Sequence, residues 1–121
     1  MTRVAAIIVA GGRGNRAGPD APKQWQPLLG RRVIDWSIDA FSAHAAVTDI
    51  VVVAAPEVGP PGAGQRFVRA EPGETRTQSV LSGLAALNLP EDSIVLIHDA
   101  ARPGIDAATI TALIEALASA D

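Results

Sequence analysis

The chain has 121 residues, of which 48% are apolar and 19% charged, and its net charge is −3. This composition excludes a disordered chain, which is poorer in apolar residues, and a strongly basic nucleic-acid binder, since ten cationic side chains face thirteen acidic ones. With no cysteine there is no disulfide framework, thiolate zinc site or cysteine nucleophile, and a reducing cytoplasm is acceptable.

Nine of the ten cations are Arg, so chemistry that needs an ammonium has one candidate, Lys23. Aromatics make up 3% and Tyr is absent, which argues against base-stacking platforms. No apolar run approaches the roughly 20 residues that span a bilayer. No signal-type cleavage site follows the first apolar run. The expectation is one small cytoplasmic domain.

In chain order, Val4 to Ala10 is a continuous apolar run rich in β-branched residues, read as a strand buried on both faces. Residues 11–30 hold five Gly and three Pro, too many for a helix or an interior strand. Ile34, Ile38, Phe41 and Ala45 then recur at helical spacing. Asp49 to Ala55 reads as a second buried strand, followed by a turn-rich stretch, Pro56 to Gly64. Gln65 to Ala70 alternates weakly, as a short strand would. Val80, Leu81, Leu84 and Leu87 mark a helix that starts near Thr75, with Thr75 or Thr77 as its cap, and ends before Pro90. Ser93 to His98 is a third buried strand. Asp106 is positioned to cap a last helix carrying Ile110, Leu113, Ile114 and Leu117. Strand and helix alternate and the strands are unbroken apolar runs, so the fold expected is α/β, a mostly parallel sheet with helices on both faces. Ligands of such sheets bind beyond the carboxyl ends of the strands.

Two loops fall at that edge. The first, from Ala10 through Gly11, Gly12, Gly14 and Arg16 to Lys23, frees backbone N–H groups to face an anion and adds two cations. A P-loop fails because no Gly-Lys-Ser/Thr closes the glycines. A dinucleotide fingerprint is formally present in Gly12-x-Gly14-x-x-Ala17 with Asp35 beyond. It needs a helix from Gly14 onward, where Pro19 and Pro22 intervene. A nucleotidyltransferase loop around a triphosphate and a plain solvated surface loop are the other readings. The second loop is His98-Asp99-Ala100-Ala101-Arg102-Pro103. There Asp99 can ligate magnesium or merely cap a turn, and Arg102 can pair with Asp99 or with a ligand. His98 alone reads as a satisfied strand-end histidine. A third loop, Glu71 to Ser79, runs into a helix N-terminus, a place suited to anions or polar base edges.

Four segments together carry a resemblance: Ala10 to Arg16; Pro22-Lys23-Gln24-Trp25 with Pro27-Leu28; Gly73-Glu74-x-Arg76-x-x-Ser79-Val80; and His98 to Pro103. In order and spacing the chain resembles the 2-C-methyl-D-erythritol 4-phosphate cytidylyltransferase family, whose members have a Rossmann-like nucleotidyltransferase fold. The resemblance implies transfer of CMP from CTP to methylerythritol phosphate with release of pyrophosphate, in the non-mevalonate route to isoprenoids. It implies Arg16 and Lys23 as the catalytic cations on the α-phosphate. Ala10, Gly11, Gly12 and Gly14 would contact the triphosphate and ribose. Gly73, Glu74 and Ser79 would line the cytosine pocket, with Arg76 supporting their loop. Asp99 would bind Mg²⁺, with Ala100 and Arg102 beside the nucleotide. It also implies a homodimer acting on small molecules, not on nucleic acid or membrane.

The family usually has Ala-Ala-Gly where this chain has Ala10-Gly11-Gly12. Sugar-phosphate and molybdenum-cofactor nucleotidyltransferases use Ala-Gly-Gly, and they form the alternative together with a non-catalytic nucleotide-binding fragment. Family members also continue past the last helix with the acceptor pocket and a dimer arm, and some are fused to a second enzyme. Residues 1–121 are thus expected to be the N-terminal, nucleotide-binding part.

Overall fold

A computed structural model describes residues 3–10, 27–28, 31–102 and 104–119. The elements are β1 (Val4–Ala10), β2 (Pro27–Leu28), β3 (Arg31–Arg32), α1 (Val33–Ala43), β4 (Asp49–Ala54), β5 (Val68–Ala70), α2 (Arg76–Leu87), β6 (Ile94–Asp99) and α3 (Ala107–Ala118). β5, β4, β1 and β6 lie side by side in that order, all parallel, while β2 and β3 form a separate antiparallel ladder.

Alternation along the strands builds two cores from one sheet. Ala6, Ile8, Ile50, Val52 and Leu96 face Ile34, Ile38 and Phe41 of α1 and Ile110 of α3. Ile7, Val51 and Val53 face the other way, against Val80, Leu84 and Leu87 of α2. Ile7 and Ile8 are both fully buried, which is why β1 reads as an unbroken apolar run; each such side chain contributes on the order of 2 kcal/mol. α2 reaches the sheet closely because Gly83 has no side chain. A Cβ there would lie 3.0 Å from methyls of both Ile7 and Val53.

The α/β sheet with helices on both faces is as expected, and its connections place the ligand edge. The chain runs from β1 through α1 to β4 on one side of β1, then from β5 through α2 to β6 on the other. Opposite directions of travel with one crossover hand put α1 and α2 on opposite faces. β1 and β6 therefore flank the switch point of the sheet, and the crevice opens at their carboxyl ends.

Several boundaries differ from the periodicity. α1 stops at Ala43, so Ala45 is exposed and Val47 takes the buried place. The reason is a tight turn in which Val47 N–H donates to the His44 carbonyl and Thr48 N–H to that of Val4, starting the β1–β4 ladder. The weak strand at Gln65 to Ala70 shrinks to β5, since Gln65 is turned inward to bond Asp35 and Asp39. The turn-rich stretch keeps one 3₁₀ turn, Pro56–Val58. The Pro- and Gly-rich segment also carries β2, which with β3 just beyond it forms a short ladder that the composition did not suggest. β6 runs one residue further than expected and so takes in Asp99.

Candidate active site

Asp99 ends β6 directly opposite Val9 of β1. The strand stops there because the next residues turn: Ala100 N–H donates to the Val9 carbonyl at 2.9 Å and Arg102 N–H to the Asp99 carbonyl at 3.1 Å. The Asp99 carboxylate meets two guanidiniums. Arg76 Nε, from the first turn of α2, donates to Oδ1 at 3.2 Å, and Arg102 Nε stands 3.8 Å from Oδ2. All three side chains are more than a third exposed. Pairs of this kind hold at most about 1 kcal/mol, so an incoming phosphate or cation can replace them.

The loop before α2 is tied from within. Thr75 caps the helix by accepting from Gln78 N–H at 3.1 Å, and the Gln78 side chain reaches back to accept Glu74 N–H at 2.8 Å. This is a capping box whose return arm lands one residue further out. Gly73 N–H donates to Ser79 Oγ at 3.0 Å, and Ser79 is 2% exposed. Gly73 has no room for a side chain: a Cβ would fall 2.4 Å from Gln78 Cβ. The base of the loop is fixed by Arg69 on the Ala54 carbonyl and by Ser82 on that of Glu71.

These two loops and the end of β1 enclose a cleft of about 420 Å³ lined by Val9, Ala10, Gly73, Glu74, Thr75, Arg76, Ser79, Asp99, Ala101 and Arg102. Seven of the residues singled out in the sequence thus converge: Ala10, Gly73, Glu74, Arg76, Ser79, Asp99 and Arg102. Ala100 is placed differently. It is fully buried in the core below the cleft with its N–H committed to Val9, and Ala101 lines the cleft instead. Arg76 reaches across to the acidic turn, to Asp99. Gly11, Gly12, Gly14, Arg16 and Lys23 lie outside the described residues, as do Pro19 and Pro22, on which the dinucleotide reading turns. Gln78 went unnoticed in the sequence, although the Thr75-x-x-Gln78 pattern is the signal for a capping box.

His98 is satisfied, as a strand-end histidine should be, with Nε2 2.9 Å from Ser37 Oγ and 3.1 Å from the Arg102 carbonyl. Burial pushes its pKa below the ordinary imidazole value, with the Arg102 guanidinium adding to the effect; the Arg102 carbonyl and Asp99 oppose it without prevailing.

For a divalent cation, Asp99 presents one hard oxygen donor at the cleft. Among the described residues no group of three or more His, Cys, Asp or Glu assembles a cage. A single carboxylate suits Mg²⁺, which keeps waters and takes most of its remaining ligands from substrate phosphates. The donor set fits the ion implied by the resemblance.

Comparison with known proteins agrees with this geometry. The family IspD, 2-C-methyl-D-erythritol 4-phosphate cytidylyltransferase, matches residues 4–121. A bifunctional enzyme IspD/IspF of Hyphomonas neptunium is 62% identical over 117 residues, covering 97% of this chain and 31% of that protein. The 2-C-methyl-D-erythritol 4-phosphate cytidylyltransferase of Roseobacter denitrificans is 44% identical over 123 residues, covering 98% of this chain and 54% of that protein. The crystal structure of the Francisella tularensis 2-C-methyl-D-erythritol 4-phosphate cytidylyltransferase superposes with a TM-score of 0.79 at 28% identity, covering 98% of this chain and 54% of that one. The chain therefore spans between about a third and about half the length of these relatives. Its sheet, its cleft and its sequence together place it in the 2-C-methyl-D-erythritol 4-phosphate cytidylyltransferase family.

Proposed function

We propose that this chain supplies the nucleotide side of an enzyme that transfers CMP from CTP to 2-C-methyl-D-erythritol 4-phosphate and releases pyrophosphate. The observation that carries the reading is the convergence of Gly73, Glu74, Arg76, Ser79, Asp99 and Arg102 on one cleft at the switch point of the sheet. Family membership supports the choice of this reaction over sugar-phosphate or molybdenum-cofactor chemistry.

The reaction needs no covalent nucleophile, because the acceptor is itself a phosphate monoester. One of its oxygens forms a bond to the α-phosphorus of CTP while the bond to the β-phosphate oxygen breaks, and the electron pair leaves with pyrophosphate. Catalysis is then positioning and charge stabilisation. Arg16 and Lys23 stabilise the charge that builds on the α-phosphate. The rigid loop at Gly73, Glu74 and Ser79 receives the base, its shape held by the Gln78 arm. Arg102 gives up Asp99 and turns to the phosphates, while Arg76 supports the loop that receives the base. Asp99 would hold Mg²⁺, which supplies charge neutralisation to the triphosphate and its leaving group. The complete protein is read as a cytoplasmic homodimer acting on small molecules; among the described residues no helix is long and apolar enough to cross a membrane.

The test is pyrophosphate release by the complete protein with Mg²⁺, methylerythritol phosphate and each nucleoside triphosphate in turn. Turnover with CTP well above that with UTP, ATP or GTP is expected. Binding of CTP without turnover would leave a nucleotide-binding unit in place of an enzyme. Lys23→Ala and Arg16→Ala should each lower kcat by at least a hundredfold while CTP still binds; wild-type rates in both would remove their assigned roles.

A further inference from the structure

His98 stands one residue before Asp99 but on the opposite face of β6, beneath α1. Its ring meets Phe41 edge to face, centroids 5.5 Å apart at 60°, and is thereby held in one orientation. In that orientation Nε2 reaches both Ser37 Oγ, on a fully buried serine of α1, and the carbonyl of Arg102. A carbonyl only accepts, so the contact at 3.1 Å requires the proton on Nε2. Ser37 Oγ also donates to the same carbonyl at 3.5 Å.

The consequence lies on the far side of the strand. The turn from Asp99 to Arg102 is pinned on its amide side by Ala100 N–H on Val9 and Arg102 N–H on Asp99. On its carbonyl side the partners are His98 and Ser37. The Arg102 side chain is 79% exposed, so packing does not aim it and its backbone must. Resting on the function proposed above, we infer that His98 is a positioning residue for nucleotide binding: its Nε2–H, backed by Ser37, clamps the Arg102 carbonyl and so sets the turn that presents Asp99 and Arg102 to the triphosphate. It touches no substrate.

Two variants separate the clamp from the packing. His98→Gln keeps an N–H donor at the distance of Nε2 and loses the ring; His98→Phe keeps a ring against Phe41 and loses the donor. Binding of CTP with Mg²⁺ is measured by calorimetry, stability by thermal unfolding, and amide hydrogen exchange at Ala100 and Arg102 by NMR without ligand. His98→Phe should keep the Tm, weaken CTP about tenfold and speed exchange at both amides. His98→Gln should lower the Tm yet bind CTP within about threefold of wild type with slow exchange. If His98→Phe matches wild type in exchange and affinity, or His98→Gln loses as much affinity as His98→Phe, the clamp is refuted. Should the wild-type chain bind no CTP, the proposed function falls, and exchange at Ala100 and Arg102 still decides the clamp.

Discussion

Asp35, in the first turn of α1, is a nearly buried partner of Arg32. Arg32 also donates to the carbonyls of Glu57 and Val58, and Gln65 bridges Asp35 and Asp39. The cluster ties the start of α1 to the 3₁₀ turn and the loop after it. Burial alone would raise the Asp35 pKa, but hydrogen bonds from Arg32 and Gln65 overcome it and hold the carboxyl below its usual 3.8. A depressed carboxylate stabilises the fold fully above its unfolded value and loses that contribution as pH falls through the lower folded value. Asp35→Asn should therefore cost about 1–3 kcal/mol at pH 7, and the gap to wild type should close below about pH 4. Urea unfolding of both proteins from pH 7 to pH 3 measures it. A pH-independent gap would mean that the charge is not what Asp35 contributes.

At the scale of elements, α2 does two jobs with opposite requirements. Its N-terminus shapes the cleft, and its middle must lie almost on the sheet. Thr75→Ala removes the cap and should cost about 1 kcal/mol, with CTP binding weakened because Gln78 loses its register with Glu74. Gly73→Ala should leave the fold in place but move the loop, since its Cβ collides with Gln78; the expected readout is at least a tenfold loss of CTP affinity with little change in Tm. Gly83→Val tests the other end of the bargain. Ile7, Val51 and Val53 are wholly buried strand residues with no space to yield, so overpacking of about 1–3 kcal/mol is expected, read as a lower urea midpoint. A Gly83→Val protein as stable as wild type would show that α2 can lift off the sheet at no cost.

For the whole molecule, three separate chain segments (the end of β1, the loop before α2 and the turn after β6) contribute to a single cleft. A ligand that spans them holds the two faces of the sheet together through β1 and β6. CTP with Mg²⁺ at a hundred times its Kd should stabilise the chain by about 2.7 kcal/mol, seen as a rise in Tm. Methylerythritol phosphate alone should do far less, since the function proposed above assigns all seven converging residues to the nucleotide side. Equal stabilisation by both would contradict that division.

Periodicity and residue chemistry alone determined the α/β class, the three long strands and the helix caps, Asp106 outright and Thr75 as one of two candidates beside Thr77, while the family resemblance pointed to most of the residues around which the cleft forms. These are local properties: an unbroken β-branched run has few ways to be satisfied except between two layers, and a side chain that accepts an N–H three residues on is a helix start wherever it stands. The tertiary structure decided what depends on contacts distant in sequence. It exchanged Ala45 for Val47 in the core, drew Asp99 into β6, sent Ala100 inward and Ala101 to the cleft, and paired Arg76 with Asp99 across 23 positions. His98 is the plainest case. Its neighbours in the sequence mark it only as a strand end; Ser37, 61 residues away, and the ring of Phe41 hold it against the Arg102 carbonyl, because such contacts are fixed by where distant backbones come to lie.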